Sequence, residues 1–453
     1  MAVNNTHHHR HVAILAFPFG THAAPLFSLI RRLAAAAPDV TFSFFGTSTS
    51  NASTFGPKTH PKQKEDNIKT YNVDDGVPEG YMFTGKRQED IELFVAATPG
   101  NFKAKMDEVV SQTKLSITCL VTDAFLSFAE DMANEMNVQW VPLWTAGASA
   151  VLAHLYTDLL RNTITGGDAE VARIIPGLAP AIRIKDLPLE VLHENKEFVL
   201  GRLLDKMAQT LPRATVIAIN SFQELDPDVI SVLQSKFFQQ CLTLGPFNLI
   251  ASPSQEDPHG CISWLSKHKP TSVAYVSFGT VTTPPPSELA ALAQALEESR
   301  VAFLWSLKDN QKIHLPDGFL DRTSDRGMVA PWVPQSKVLE HESTGVFVTH
   351  CGWNSVMESM TGGVPMICRP FFGDQNLNGR LVSAVWEIGV EAKNRVLSKE
   401  GVMKALELIL HSEQGKQMRR NVVKLKQLAE QAVGREGSST NNFSTLLKMV
   451  NKE

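Results

Sequence analysis

One stretch of the sequence combines residue types that suit a phosphate group. In "THCGWNSVMES" (349–359), an apolar run leads to His350, and Gly352 allows a tight turn. A helical pattern then opens with Asn354 and Ser355. A helix N-terminus presents free N–H groups and a partial positive charge, and His350 can add a further donor. The alternative is that Asn354 and Ser355 only cap the helix, and this stretch alone favours neither interpretation.

Further residues suited to a nucleotide sugar stand nearby in the sequence. Glu358, about one turn into the same helix, can accept hydrogen bonds from the two vicinal hydroxyls of a ribose. Trp332 follows another apolar run and can stack on a base, although core packing is the favoured explanation for a tryptophan taken alone. Asp374 and Gln375 can bind sugar hydroxyls or, alternatively, cap the next helix. The grouping of these residues is a stronger signal than any one of them.

The first half of the chain places a titratable ring within an apolar run. In "HVAILAFPFGTHAAPLFSLI" (11–30), His22 follows a Gly-Thr pair where a predicted strand joins a predicted helix. Asp123 stands near the end of another apolar run, "TCLVTDAF" (118–125). A histidine near a helix start is usually structural when it stands alone, whereas a histidine with a carboxylate partner is a candidate general base.

These residues depend on an alternation of short apolar runs with helical patterns. The runs cover 11–17, 41–46, 68–73, 118–125 and 140–145 in the first half, and 272–279, 301–307, 327–333, 345–350 and 364–370 in the second. Continuous apolar strands between helices predict parallel sheets covered on both faces, and therefore an α/β fold with two Rossmann-like domains in tandem. Ligands bind at the carboxyl ends of such strands, which is where the polar residues stand.

A stretch rich in Pro, Ser and acidic residues, "GPFNLIASPSQEDPHG" (245–260), is typical of a linker between domains. We predict an N-terminal domain over 1–247, a linker over 248–258 and a C-terminal domain over 259–435. A C-terminal helix over 436–453 could pack back on the N-terminal domain.

Composition and missing motifs exclude several classes of protein. A net charge of -4 over 453 residues argues against a nucleic-acid or anionic-membrane partner. Five scattered cysteines suit a reducing compartment, and with no signal peptide or long apolar run we expect a cytoplasmic protein without a membrane span. No P-loop is present, and no GxGxxG follows the first strand of either half. The single DxD match, Asp226–Asp228, we interpret as a turn or helix start rather than a metal site.

Residues 332–375, "WVPQSKVLEHESTGVFVTHCGWNSVMESMTGGVPMICRPFFGDQ", resemble the plant secondary-product glycosyltransferase box. They span 44 residues without a gap, which is the usual length of that box. Segments elsewhere, among them "AFPFGTHAAPL", "NVDDGVPEGY" and "RPFFGDQNLNGR", resemble the flavonoid and anthocyanidin 3-O-glucosyltransferases of the family. The resemblance implies a GT-B fold, with two facing Rossmann-like domains and an interdomain cleft. It also implies inverting transfer from a UDP-sugar with no metal and no cofactor.

The resemblance implies a set of contacts for each part of the UDP-sugar donor. Trp332 and Val333 are expected to contact the uracil, and Gln335 and Glu358 are expected to bind the ribose. The diphosphate is assigned to Thr280, His350, Asn354 and Ser355, and the sugar to Thr145, Trp353, Asp374 and Gln375. A glutamine at the end of the box goes with glucose and a histidine with galactose, so Gln375 favours UDP-glucose as the donor substrate.

For the flavonoid acceptor, the resemblance implies two polar contacts, Gln88 and His154. Apolar walls are expected from Phe17, Phe19, Phe125, Val281 and Phe372. Gly20 departs from the pattern, because close relatives often carry a small hydroxyl residue there. The acceptor preference therefore stays open, and another small phenol, a hormone or a xenobiotic is the alternative substrate.

The expected mechanism places His22 as the base that deprotonates the acceptor hydroxyl as it attacks the anomeric carbon. Asp123 is expected to fix the tautomer of the ring and to stabilise the imidazolium. His350 and the helix start stabilise the departing UDP. A single displacement on an α-linked donor gives a β-3-O-glucoside. We expect a monomer, and a non-catalytic sugar-nucleotide-binding protein is the alternative to an enzyme.

Overall fold

The computed structural model of the chain describes residues 10–55, 66–86, 88–164, 171–193, 198–250 and 256–451. The chain divides into two compact units. The first unit comprises Met1–Thr163, Glu190–Ser254 and Ala432–Glu453, and the second comprises Ile164–Leu189 and Gln255–Gln431.

A seven-stranded parallel sheet forms the centre of the first unit. Its strands are β1 (Arg10–Leu15), β2 (Val40–Thr47), β3 (Ile68–Val73), β4 (Cys119–Asp123), β5 (Gln139–Trp144), β6 (Val216–Ile219) and β7 (Gln240–Thr243). Their order across the sheet is β3-β2-β1-β4-β5-β6-β7. Leu15 at the end of β1 lies opposite Thr122 of β4, so these two strands end side by side at one edge of the sheet.

A six-stranded parallel sheet forms the centre of the second unit. Its strands are β8 (Val273–Ser277), β9 (Ala302–Ser306), β10 (Gly327–Ala330), β11 (Thr344–Thr349), β12 (Met366–Cys368) and β13 (Gly389–Glu391), in the order β10-β9-β8-β11-β12-β13. Thr349 of β11 lies opposite Ser277 of β8 and Cys368 of β12. The segments that follow these three strands therefore start at the same edge.

Helices follow most strands. They are α1 (Ala23–Ala36), α2 (Ser48–Phe55), α3 (Glu89–Ala97), α4 (Gly100–Thr113), α5 (Ala129–Met136), α6 (Ala148–Leu155), α7 (Thr157–Thr163), α8 (Leu189–Leu192), α9 (Val199–Thr210), α10 (Pro227–Lys236), α11 (Phe247–Ile250), α12 (Cys261–Leu265), α13 (Pro286–Ser299), α14 (Phe319–Arg322), α15 (Gln335–Glu340), α16 (Trp353–Gly362), α17 (Gln375–Arg380), α18 (Lys399–His411), α19 (Glu413–Val433) and α20 (Ser438–Val450). Short 3-10 turns cover Val171–Arg173, Ile184–Asp186, Leu211–Arg213, Asp309–His314 and Lys393–Arg395, and a π-helical turn covers Leu381–Val385. No helix within the described ranges is long and apolar enough to cross a membrane.

Each sheet is buried because its strands are apolar on both faces. In the first unit, the apolar side of α1 packs on the sheet through Leu26, Leu29 and Ile30. The same cluster includes Phe443 and Leu446 of α20, although Gln255–Gln431 of the second unit separate α20 in sequence from most of the first unit. In the second unit, buried aromatic and aliphatic side chains from β8, β9 and β11 pack against α13 and α18.

The ten apolar runs predicted as strands are all strands in the structure, within a few residues at each end. The prediction missed β6, β7 and β13, which are only three or four residues long. Residues 91–112, "IELFVAATPGNFKAKMDEVVSQ", have a helical pattern that Pro99 interrupts. The structure divides that pattern between α3 and α4 at Pro99, because proline cannot donate the backbone hydrogen bond that a continuous helix requires there.

The bounds of the two units differ from the predicted domains at Ile164–Leu189, within the linker predicted over 248–258, and at residues 432–435. Residues Ile164–Leu189 were expected in the N-terminal domain but belong to the second unit. The physical reason is an ionic cluster within that unit: Asp186, only 1% exposed, lies 2.7 Å from a guanidinium nitrogen of Arg395 and 3.6 Å from one of Arg380. Residues 251–255 of the predicted linker lie outside the described residues.

Candidate active site

The first unit brings His22 and Asp123 together. The chain leaves β1, turns at Gly20 with a φ of 64°, and reaches His22 immediately before α1. Asp123 is the last residue of β4, the neighbour of β1 in the sheet. Their side chains meet with Nδ1 of the histidine 2.8 Å from Oδ2 of the aspartate. Two strand ends that lie side by side thus create the pair.

The environment of this pair determines which nitrogen of the His22 ring carries the proton. Asp123 is 1% exposed, and its other oxygen, Oδ1, accepts the backbone N–H of Phe125 at 2.9 Å. An ionised carboxylate only accepts hydrogen bonds, so Nδ1 of His22 carries the proton in this contact. Nε2 is consequently the nitrogen that can accept a proton, and the His22 side chain is 22% exposed.

Aromatic rings surround the histidine. The ring centre of Phe125 lies 4.5 Å from that of His22 and the ring centre of Phe17 lies 5.3 Å from it. Thr145, just after β5, places its hydroxyl oxygen 3.4 Å from Nδ1. The edge-to-face contacts extend from Phe17 to Phe19 at 5.3 Å. We call Phe17, Phe19, Phe94, Phe125 and Trp144 the aromatic cluster.

The two polar acceptor candidates occupy different surroundings in the first unit. His154 in α6 is 5% exposed and its ring centre lies 5.7 Å from that of Trp144. Burial, assisted by the charge of Arg161, lowers the pKa of His154 to about 4, so this ring is neutral at pH 7. Gln88, with a φ of 63°, precedes α3 and accepts the backbone N–H of Leu200 at 3.3 Å.

A buried carboxylate beside Gln88 holds a segment that the sequence did not single out. Glu89 accepts the hydroxyl of Tyr81 at 2.6 Å and the backbone N–H of Thr84 at 2.9 Å. The hydrogen bond from Tyr81 holds the pKa of Glu89 below its usual range. Between these anchors, Met82 is 85% exposed and Phe83 is 54% exposed. Glu89 therefore fixes an apolar segment in solvent next to an acceptor candidate.

The second unit surrounds His350 with glycine backbone. Gly279, after β8, has a φ of 74°, and a Cβ built on it would lie 2.9 Å from Cε1 of His350. A Cβ on Gly352 would also collide with the ring. Burial lowers the pKa of His350 to about 4, and its Nδ1 has no hydrogen-bond partner among the described residues. The turn at His350 thus places an imidazole, held by glycine backbone, beside the N-terminus of α16.

A hydrogen-bond network joins Gln335 to Glu358. Gln335, first in α15, donates from Nε2 to Glu358 at 2.5 Å and to the hydroxyl of Ser355 at 3.0 Å. Ser336 donates to the other oxygen of Glu358 at 2.6 Å. Tyr275, buried in β8, donates its hydroxyl to Oε1 of Gln335 at 3.1 Å. Burial raises the pKa of Glu358, and the bonds from Ser336 and Gln335 oppose that shift.

The last two residues of the 332–375 stretch are also oriented. Oε1 of Gln375 accepts the backbone N–H groups of Phe371 at 2.9 Å and Phe372 at 3.4 Å. Because the amide oxygen is engaged there, the NH2 group of Gln375 is directed away from these contacts. Asp374 accepts a hydrogen bond at Oδ2 from Asn378, one turn further along, at 2.9 Å.

The remaining donor and acceptor candidates of the second unit differ in exposure. Trp332 is 44% exposed, as stacking on a base requires, whereas Val333 is 6% exposed. Trp353, the first residue of α16, is 4% exposed, so its indole is buried. Three further candidates are exposed to solvent: Thr280, Val281 and Phe372.

The DxD stretch is a helix start, as interpreted from the sequence. Pro227 begins α10, Asp226 precedes it and Asp228 lies in its first turn. Across the part of the chain that the structure describes, no group of three or more His, Cys, Asp or Glu side chains could hold a metal ion.

Each unit is an α/β unit built on a parallel sheet, with polar candidate residues at the strand ends. This architecture and these residues are typical of enzymes that use a sugar nucleotide. Residues 56–432 match the family described as UDP-glucoronosyl and UDP-glucosyl transferase, so the chain belongs to this family of UDP-dependent glycosyltransferases. The resemblance found in the sequence is thereby confirmed.

Individual relatives are similar over nearly their whole length. The chain is 52% identical to anthocyanidin 3-O-glucosyltransferase UFGT from Vitis vinifera, covering 98% of this chain and 97% of that one. It is 51% identical to flavonol 3-O-glucosyltransferase from Arabidopsis thaliana, covering 97% of each. A crystal structure of UDP-glucose: anthocyanidin 3-O-glucosyltransferase in complex with UDP is 40% identical, with a TM-score of 0.92 over 98% of this chain and 99% of that one. The predicted GT-B fold class is confirmed.

Four residues that hold the candidate residues in place were not predicted as site residues: Tyr275, Ser336, Asn378 and Glu89. The only available signal was spacing. Asn378 stands four residues after Asp374, and residues four apart share one face of a helix.

Proposed function

We propose that the protein transfers glucose from UDP-glucose to the 3-hydroxyl of a flavonoid, a flavonol or an anthocyanidin, and forms a β-3-O-glucoside. The observation that carries this proposal is the His22–Asp123 pair set among the aromatic cluster. A base oriented by a buried carboxylate suits deprotonation of a hydroxyl, and aromatic walls suit a planar phenolic molecule. The names of the relatives supply the class of acceptor.

In the proposed step, the acceptor oxygen attacks the anomeric carbon of glucose as its proton passes to Nε2 of His22. Asp123 keeps the proton on Nδ1 and stabilises the imidazolium that forms. The bond between the anomeric carbon and the diphosphate oxygen breaks, and its electron pair leaves with UDP. One displacement inverts the anomeric configuration, and no metal ion takes part.

The second unit supplies the donor-binding groups in this proposal. Trp332 stacks on the uracil beside the backbone of Val333, and Gln335 and Glu358 bind the ribose. His350 and the start of α16 at Asn354 and Ser355 neutralise charge on the departing diphosphate, with Thr280 adjacent. The unpartnered Nδ1 of His350 supports this role, because a buried donor without a partner fits an anionic ligand.

Recognition of glucose is assigned to Trp353, Asp374 and Gln375, with Thr145 as a further contact. The orientation of Gln375 supports this, because its NH2 group is left to donate to a sugar hydroxyl. The acceptor contacts are Phe17, Phe19, Gly20, Phe125 and Val281, with Gln88, His154 and Phe372. The positive φ of Gly20 disfavours the hydroxyl side chain that relatives often carry at this position.

The decisive experiment incubates the full chain with UDP-glucose or UDP-galactose and a panel of acceptors, and maps each product. We expect quercetin and an anthocyanidin to give 3-O-glucosides, with UDP-glucose preferred. The acceptor assignment would be refuted if a different phenol were glucosylated and neither quercetin nor the anthocyanidin were. Binding of UDP-glucose without transfer or hydrolysis would refute the assignment as an enzyme.

A variant tests the role of His22. His22→Ala should reduce transfer by about 10²–10⁴-fold, the usual contribution of a general base, and leave UDP affinity within about two-fold. A comparable loss of UDP affinity would instead make His22 part of the donor site or of the fold.

We also propose that the protein acts in the cytoplasm as a monomer. All five cysteines are free and buried, which supports a reducing compartment. Light scattering after gel filtration tests the oligomeric state, and a fluorescent fusion of the full chain tests the compartment.

A further inference from the structure

Asn378 joins two parts of the donor site through one side chain. It lies in α17, is 1% exposed, and donates from Nδ2 to Oδ2 of Asp374 at 2.9 Å and to the carbonyl of Cys351 at 3.0 Å. An amide NH2 group has two protons, and these two acceptors use both. We propose that Asn378 is a positioning residue that orients Asp374 toward the donor sugar and ties it to the turn that binds the diphosphate.

The contact with Cys351 matters because of where this residue stands. Cys351 separates His350 from Gly352, and its φ of 63° is a left-handed conformation that a residue with a Cβ rarely adopts. Such a conformation persists only when its surroundings impose it. The hydroxyl of Thr349 accepts the N–H of Cys351 at 3.3 Å, and Asn378 captures its carbonyl. Asn378 therefore helps to hold the turn that presents His350 and the start of α16.

The contact with Asp374 restricts a charged group. The backbone N–H of Asn378 donates to the carbonyl of Asp374 at 2.9 Å, as expected one turn along a helix, and the side chains meet on the same face. A hydrogen bond to a carboxylate is stronger than one between neutral groups. A sugar hydroxyl therefore meets a carboxylate whose direction is already set. The inference rests on the proposed donor, UDP-glucose, and adds a residue that acts on the sugar through Asp374.

A purely structural role for Asn378 leads to different expectations. If the amide only satisfied the carbonyl of Cys351, its removal would weaken UDP and the complete donor equally. If it also orients Asp374, the complete donor loses more, because only the donor carries the sugar. The comparison of UDP with UDP-2-deoxy-2-fluoroglucose, a donor that resists transfer, therefore separates the two roles without any acceptor.

Calorimetric titration of the full chain provides the test. We expect Asn378→Ala to weaken UDP-2-deoxy-2-fluoroglucose by about ten-fold or more and UDP by no more than about three-fold. Asp374→Ala should weaken the donor much less in the Asn378→Ala background than in the wild type, because the two residues act as one unit. Asn376→Ala is the matched control, since Asn376 is a buried asparagine of the same helix, and it should change neither affinity.

Asn378→Asp gives a second readout that a structural role would not move, and it serves if Asn378→Ala does not fold. At pH 8 the introduced carboxylate repels Asp374 and donor affinity is low. As the pH falls toward 5.5, one carboxyl of the pair becomes protonated and donates to the other. Donor affinity should then recover by about three-fold or more relative to the wild type at the same pH.

Equal losses for UDP and the fluorinated donor, an additive double-mutant cycle, or a flat pH profile would overturn the inference. Failure of the proposed function would appear elsewhere, in a wild-type enzyme that binds UDP-2-deoxy-2-fluoroglucose no better than UDP or leaves flavonoids unmodified. The two failures are therefore distinguishable within one set of titrations and one product assay.

Discussion

Asp123→Asn tests the orientation of the histidine by a change of a single atom. In the structure, Oδ1 of Asp123 accepts the N–H of Phe125 at 2.9 Å, and Oδ2 faces Nδ1 of His22 at 2.8 Å. In the variant, the amide oxygen must keep the Oδ1 position, because only an acceptor satisfies that backbone N–H. The NH2 group then faces Nδ1 and turns it into an acceptor, so the ring proton moves to Nε2. The nitrogen required to accept a proton is thereby blocked.

The size of the expected loss follows from this geometry. Asp123 is 1% exposed, so no water molecule from bulk solvent can replace its contact with the ring. The variant lacks both the proposed general base and the carboxylate proposed to stabilise the imidazolium, while shape and packing are kept. We expect kcat for quercetin glucosylation to fall by about 10²–10⁴-fold, equivalent to about 3–5 kcal/mol in the activation barrier.

The assay is steady-state formation of the flavonoid glucoside with UDP-glucose in excess, followed across pH. UDP affinity and Tm should stay close to those of the wild type, because the residues proposed to bind UDP belong to the other unit. Asp131→Asn, an exposed aspartate in α5, controls for the loss of one negative charge and should retain full kcat. A kcat for Asp123→Asn within about five-fold of the wild type would refute the assignment of Nε2 as the base.

Three further expectations follow from the geometry. Tyr275→Phe should weaken UDP by about five-fold, the effect of losing one buried hydrogen bond of about 1 kcal/mol that orients Gln335, and calorimetry would measure it. Unchanged affinity would show that the amide of Gln335 is held without Tyr275. Burial raises the pKa of Asp226 to about 7, from the ordinary value of 3.8 that applies to the unfolded chain. Between pH 4 and pH 7 the folded state therefore binds a proton that the unfolded state does not. Because of this group, the free energy of unfolding falls as the pH rises from 4 to 7, by up to about 4 kcal/mol. Asp226→Asn should therefore flatten this part of the denaturation profile and raise Tm at pH 8, and an unchanged profile would contradict the shift. Transfer should survive dialysis against EDTA, whereas loss of activity restored by a divalent cation would contradict a metal-free reaction.

The strands that hold the site were predictable because parallel strands buried on both faces are continuous apolar runs. That signal fails for very short strands, and β13, "GVE", contains too few residues to show any period. Strand order within each sheet was not predictable from the runs. The adjacency of β1 and β4, which creates the His22–Asp123 contact, depends on how the intervening helices cross the sheet.

Some features of the candidate site were predictable from the sequence, and others were not. His22, Asp123 and the 332–375 stretch could be found because their residue types stand at strand ends or match a family pattern. The approach of Gly279 to His350 could not, since these residues are far apart in sequence and meet only because β8 and β11 are neighbours. The roles of Tyr275 and Asn378 were equally hidden, because a hydrogen bond to another polar side chain leaves no periodic trace in the sequence.

The position of α20 has a consequence for biosynthesis. All seven strands of the first sheet have been translated once residue 243 is reached, yet Phe443 and Leu446 complete the apolar core beneath α1 only after the entire second unit has been made. A nascent chain therefore carries an uncovered hydrophobic face while the ribosome synthesises residues 255–431 of the second unit. Chaperone binding to this face should persist until α20 appears, and a premature stop before residue 438 should yield an aggregating chain even though the His22–Asp123 pair lies entirely upstream.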